Sequence, residues 1–184
     1  LGRPHDASTW MQLAQQCLAA GYYEEANTAA AAPVLDGRDP AVRALRVRCR
    51  LAAMRPAYGP VSAQEVQALQ VELDELREAW PERVDVKVLQ ADLLVLTGRR
   101  DQAERVLREA VASGDPLGIA RRSLIERLRQ AGRLEDAILE ATFLCGQAGD
   151  QAETWTQLAE LHLMAGQTDR ALQALKDGME QVDP

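Results

Sequence analysis

Leu93–Ala110 reads LLVLTGRRDQAERVLREA: an apolar helical stretch, a glycine, a short polar turn, and a second stretch that returns to helical spacing. The same arrangement recurs as LRQAGRLEDAILEA over Leu128–Ala141 and as LHLMAGQTDRALQAL over Leu161–Leu175. Gly98, Gly132 and Gly166 are spaced 34 residues apart, and an alanine follows each five residues on, as Ala103, Ala137 and Ala171. CLAAGYYEEANTAAAA over Cys17–Ala32 repeats the scheme with Gly21 and Ala26. A fixed period of this size is the signature of a repeat architecture.

Each part of the pattern has a physical reason. A glycine after a helix accepts the left-handed conformation that closes the C-terminus. The acidic residues that follow, Glu24, Asp101, Glu135 and Asp169, fall in the first turn of the next helix, where the dipole favours negative charge. The small alanine lets two antiparallel helices approach closely. One such pair cannot bury its own apolar face, so pairs stack upon one another.

Between Gly21 and Gly98 two periods leave nine residues over. The surplus falls in a Pro/Gly-rich loop over residues 55–62, between a helix expected over Pro40–Met54 and one over Ala63–Ala79. Ser62, with Glu65 three residues on, is the expected N-cap of the second. Pro33 predicts an early end or kink in the second helix of the first pair. Arg48 falls where the register asks for a small packing residue. The units so defined are 7–40, 41–82 with the inserted loop, 83–116, 117–150 and 151–184, in one continuous array.

Composition supports helices packed on helices. Apolar residues make up 47% and charged residues 27% of the 184, yet aromatics only 4% with a single Phe, so the core is Leu, Val and Ala. A net charge of −7 and a pI near 4.9 argue against a general nucleic-acid binder, which needs a clustered positive field. Arg43, Arg46, Arg48 and Arg50 form a local basic run, read as a solvated helix face. No stretch reaches the roughly 18 apolar residues of a membrane span, so direct membrane insertion is not expected. The chain opens on Leu1 rather than Met, which suggests a piece of a longer protein. Lys87 and Lys176 are the only lysines, and with abundant Ala the arginine excess points to a GC-rich, bacterial source.

Residue by residue, the units resemble the tetratricopeptide repeat, whose pattern is W-x2-L-G-x2-Y, then A-x3-F, then P. The first unit offers Trp10, Leu13, Ala14 and Cys17, then Ala26 and Ala30; the last offers Trp155, Leu158, Ala159 and His162, then Ala171 and Leu175. Ala91, Leu94, Ala103 and Leu107 stand in the third, and Leu124, Leu128, Ala137 and Ala141 in the fourth. The resemblance implies an all-α solenoid of about five helix pairs wound into a right-handed superhelix. It further implies a concave groove, lined by the first helix of each pair, that holds a protein or peptide partner.

Carrying the family's groove positions over gives Met11, Gln15 and Leu18 from the first unit and Leu45 and Cys49 from the second. The third gives Asp85, Val88, Asp92, Val95 and Leu96. The fourth gives Arg122, Glu126 and Arg129, and the fifth Thr156, Glu160 and Leu163. Val88, Val95 and Leu96 would meet an apolar or amphipathic segment, and Asp92, Glu126 and Glu160 would select basic residues. Alternatively, individual members pack between neighbouring helices, and Arg122 and Arg129 pair with Glu126 on their own helix. Met11, Gln15, Val88 and Asp92 stand where the best-known members hold a carboxylate-gripping Lys, Asn and Arg, so that clamp is not expected. Leu172, Leu175 and Met179 make an apolar stripe on the last helix, the expected contact for a homodimer through the array end.

Nothing in the sequence points to catalysis or a cofactor. Cys17, Cys49 and Cys145 are dispersed and read as structural thiols, and neither His5 nor His162 has a partner at metal-ligand spacing. No nucleophile elbow or phosphate loop is present. The expected function is a protein-binding scaffold or adaptor, in the cytoplasm or the periplasm. A periplasmic segment of an exopolysaccharide-export or secretion complex, and a chaperone for secreted proteins, are the alternatives.

Overall fold

A computed structural model describes residues 6–54, 62–147 and 151–182. Among these residues there are ten helices and no strand. They are α1 (Ala7–Ala20), α2 (Tyr23–Ala30), α3 (Pro40–Ala53), α4 (Ala63–Ala79), α5 (Val84–Leu96), α6 (Arg100–Ala112), α7 (Ile119–Gln130), α8 (Leu134–Gln147), α9 (Ala152–Met164) and α10 (Thr168–Val182). None is long and apolar enough to cross a membrane. The inserted loop lies outside the described residues except for Ser62.

The glycine turns repeat in atomic detail. Gly21, Gly98, Gly132 and Gly166 all take left-handed backbone, with φ of 82°, 78°, 73° and 73°. At each, the glycine N–H donates to the carbonyl three residues back and the following N–H donates to the carbonyl five back. The second bond is Tyr22 to Cys17 at 2.8 Å, Arg99 to Leu94 at 2.8 Å, Arg133 to Leu128 at 2.9 Å and Gln167 to His162 at 2.8 Å. Carbonyls that the helix end would orphan are thereby satisfied.

Two compact units emerge, Leu1–Arg100 and Asp101–Pro184, with the division inside the third expected repeat. In the first, α1 pairs with α2, α3 packs on both, and α4 and α5 close over α3. One core gathers Ala14, Ala26, Ala29, Ala30, Leu45 and Cys49; a larger one joins Ala44, Val47, Leu51, Leu69, Leu73, Leu76, Val86, Leu89 and Leu93. α2 stops at Ala30, three residues before Pro33. Ser62 does stand at the N-cap of α4 in extended backbone, but its side chain makes no capping hydrogen bond.

The basic run on α3 is not a free solvated face. Arg43 binds Glu75 at 2.8 Å, Arg50 binds Glu72 at 2.9 Å, and Arg46 donates to the Ala30 carbonyl at 2.8 Å. Because α2, α4 and α5 all pack on α3, its arginines are drawn onto neighbouring helices rather than into water.

In the second unit α7 pairs with α8 and α9 with α10, and α8 packs on α9. Leu107, Leu124, Ile125, Leu128, Leu144 and Leu161 are fully buried there. Asp115 organises the start of α7: buried itself, it accepts from the N–H groups of Ile119 and Arg121, both at 2.8 Å. His162 is buried, with Nδ1 2.8 Å from the Gln167 side-chain oxygen, as suits a packing residue. Cys49 and Cys145 are buried free thiols, and desolvation pushes both up to about 11.

Candidate partner-binding site

Helix periodicity splits the proposed groove positions into those the core absorbs and those that reach solvent. Leu45 and Cys49 are 4% and 0% exposed and belong to the α1–α3 core; Val88 is 6% exposed. The repeat register puts them in the groove, but they have no surface left to offer, because α3 and α5 are packed by neighbours on more than one side. Leu96 is half-buried against the Leu69–Leu73–Leu76 cluster, and Val95 is half-buried. Met11 and Leu18 are half-buried against the α1–α3 core, whereas Gln15 is exposed.

Charged members divide in the same way. Asp85, half-buried, receives two hydrogen bonds from Arg83 at 3.0 and 2.6 Å. Burial alone would raise its pKa; the bonds and charge of Arg83 outweigh that and hold it below the usual carboxylate value. Asp92 is half-buried on α5 and has partners of its own.

The second unit keeps the more accessible set. On α7, Arg122, Glu126 and Arg129 fall at helical spacing on one half-exposed face. Arg129 grips Glu126 with two bonds at 2.8 and 2.7 Å, and Gln130 adds a third at 2.6 Å. Those bonds, Arg129 first, hold the Glu126 carboxyl below its ordinary value. Arg122 does not join them; it donates to the Leu117 carbonyl at 2.7 Å and to the Gln151 side chain.

On α9, Glu153, Thr156, Glu160 and Leu163 form an exposed stripe, with Met164 beside it; Leu163 and Met164 are 55% and 51% exposed. The Thr156 hydroxyl is turned back to the Ala152 carbonyl at 3.0 Å. Glu160 lies within electrostatic reach of Arg129, whose charged form it helps to favour after Glu126. The α7 and α9 faces are therefore one surface: a closed Glu126–Arg129 pair, then Glu160 with its carboxylate in solvent, then two apolar side chains.

Sequence reasoning missed two features nearby. Phe143, the only Phe, is 55% exposed on α8, with the Arg121 guanidinium stacked 4.1 Å from its ring centre while Arg121 also binds Glu140. Leu139, one turn earlier, is 70% exposed. An unusual exposed aromatic leaves no periodic signal, since the repeat pattern does not specify that position. Among the described residues, no three His, Cys, Asp or Glu side chains are grouped to hold a metal ion.

No protein-family model matches the sequence, and no curated protein matches it. Solved structures do resemble the fold. A thermophilic TPR protein of Thermus thermophilus, TTC0263, superposes with a TM-score of 0.69 at 20% identity, over 95% of this chain and 90% of that one. The MamA protein superposes with a TM-score of 0.57 at 12% identity, covering 95% and 90%. A MamA RS-1 double mutant gives 0.56 at 16%, covering 98% and 96%. Ten helices, the four matching glycine turns and these superpositions establish an all-α helical-repeat fold of the tetratricopeptide kind.

Proposed function

We propose that this chain, built on the tetratricopeptide-repeat fold, is a protein-binding scaffold whose second unit holds a partner segment against the first-helix faces of α7 and α9. The reading rests chiefly on the exposed stripe Thr156–Glu160–Leu163 with Met164. A carboxylate in water next to two apolar side chains suits an amphipathic segment that places a Lys or Arg one turn from a hydrophobic anchor. Glu126 is already bound by Arg129, so Glu160, the exposed carboxylate within one turn of Leu163 and Met164, is the one placed to accept a partner's cation beside them. Asp85, in the first unit, is likewise occupied by Arg83. A surface whose polar groups are dispersed along helices instead of converging on one point supports the recruitment of a partner.

A displayed library of amphipathic helical peptides tests this directly. Selected binders should be enriched in basic residues spaced one turn from an apolar one. Glu160→Lys and Leu163→Asp should each weaken the selected peptides about tenfold, or about 1.4 kcal/mol, while Phe143→Asp on α8 should leave them bound. Peptides that bind undiminished to both α9 variants would show the partner surface to lie elsewhere.

A further inference from the structure

The repeat register allows the outermost helix pairs to be compared with the inner ones. Counted from the turn glycine, Leu175 and Met179 of α10 occupy the places of Ala141 and Cys145 of α8. The α8 pair is 0% and 3% exposed, the α10 pair 42% and 74%. α8 is covered by α9, the first helix of the next pair. At the other end, Leu13 of α1 is 37% exposed where its counterparts Leu124 and Leu158 are 1% and 4%. With Trp10, Cys17, Glu24, Glu25 and Thr28 it lines an open groove of about 470 Å³ between α1 and α2.

Inside the second unit, α6 and α8 show how consecutive second helices meet. Arg133, just after the α8 turn glycine, binds Glu104 at 2.8 Å, and Arg108 lies 3.9 Å from Glu140. Glu104 and Arg108 stand six and ten residues after Gly98; the same places after Gly166 hold Leu172 and Lys176. Tyr22 follows Gly21 as Arg133 follows Gly132, and Ala29 takes the place of Glu140, with Glu25 one turn before it. An ion pair at the inner contact is thus matched by an apolar pair, since Leu172 is 54% and Tyr22 61% exposed. The cation at Lys176 is matched by acidic residues on the groove rim.

We propose that a second copy of this chain seats its α10 in the groove between α1 and α2, continuing the repeat from one molecule to the next. Leu172 packs on Tyr22, Leu175 and Met179 cover Trp10 and Leu13, and Lys176 meets Glu25. Asp169 and Glu180 remain in solvent beside it. The contact is heterologous, so each molecule in a pair keeps one free surface of each kind and can take on a further copy through it. It uses residues distinct from the α9 stripe and does not depend on the function proposed for that stripe.

Light scattering and sedimentation over a wide concentration range test it with the full chain. The mass should rise from that of one 20.2 kDa chain with concentration. Leu172→Asp and Tyr22→Asp, both at exposed sites, should each hold the chain monomeric while leaving its far-UV circular dichroism unchanged. Mixed together, the two variants should associate again, because each retains one intact end, and should stop at a mass of two chains. Lys176→Glu should weaken association about tenfold, and Glu25→Lys in the same chain should restore it. A monomer at every concentration overturns the proposal. So does association lost with Leu172→Asp but untouched by Tyr22→Asp, which would mean that α10 pairs with itself.

Discussion

Trp155 of α9 closes directly over Gly178 of α10: a Cβ added at Gly178 would stand 2.6 Å from the Trp155 Cβ and 2.7 Å from its Cγ. Gly178 is in ordinary helical backbone, so its conformation does not demand glycine; the neighbouring helix does. Propensity favours Gly178→Ala by about 1 kcal/mol, whereas overpacking costs about 1–3 kcal/mol. The contact is with a Cβ that cannot swing away, so the second effect wins. Urea denaturation should show Gly178→Ala to be less stable than the parent. Trp155→Ala in the same chain keeps the Cβ and should relieve only the ring's share of the penalty, whereas Trp155→Gly should remove it.

The turn glycines act through backbone alone. Gly98, Gly132 and Gly166 have φ near +75° but nothing within 4 Å of an added Cβ. Alanine at any of them should cost about 1–2 kcal/mol, with similar losses at all three. Gly118 combines a φ of 65° with the Leu144 Cδ1 methyl standing against the place an added Cβ would take. Gly118→Ala should therefore lower the denaturation midpoint more than the other three. Equal losses at all four sites would show that Leu144 yields freely.

Asp115 satisfies two N–H groups at the start of α7 from a buried position. Asp115→Ala should cost about 1–2 kcal/mol. Asp115→Asn keeps an acceptor and should recover part of the loss. Hydrogen exchange at Ile119 and Arg121 checks the cause: both amides should exchange faster in Asp115→Ala, while those of α10 should not.

The buried thiols give a pH signature. Desolvation raises Cys49 and Cys145 from an ordinary 9.0 to about 11, so the folded chain holds their protons more tightly than the unfolded one. The resulting stability is fully present below pH 9 and is lost as pH rises toward about 11. Replacing both with alanine should flatten that part of the profile. In the folded protein at pH 8, iodoacetamide should label half-exposed Cys17 first. Equal labelling of the three thiols would contradict their burial.

Much of the fold was legible because its determinants are local. A glycine, an alanine five residues later and an acidic first turn each act within one helix end, so Gly98, Gly132 and Gly166 could be placed by counting. The α3 helix was harder: Arg43, Arg46 and Arg50 look like a solvated face until α2 and α4 supply the carbonyl and carboxylates they reach. The candidate site was legible in part for a related reason. First-helix positions are given by the register, but whether a side chain faces water depends on how many neighbours its helix has. Thr156, Glu160 and Leu163 stay exposed on α9, while Leu45, Cys49 and Val88 are covered on α3 and α5. Asp115 and Gly178 owe their roles to partners that no periodic pattern names.

At the four helix-closing turns the glycine supplies the geometry, and the turn's own backbone asks of the next residue only an N–H. That next residue is Tyr22, Arg99, Arg133 or Gln167, four unlike chemistries on one backbone. Architecture and surface identity are thus uncoupled at these corners. Substitution at Tyr22 can rewrite what that corner displays and leave the turn intact, whereas at Arg133 and Gln167 it also removes a side-chain bond to Glu104 or His162.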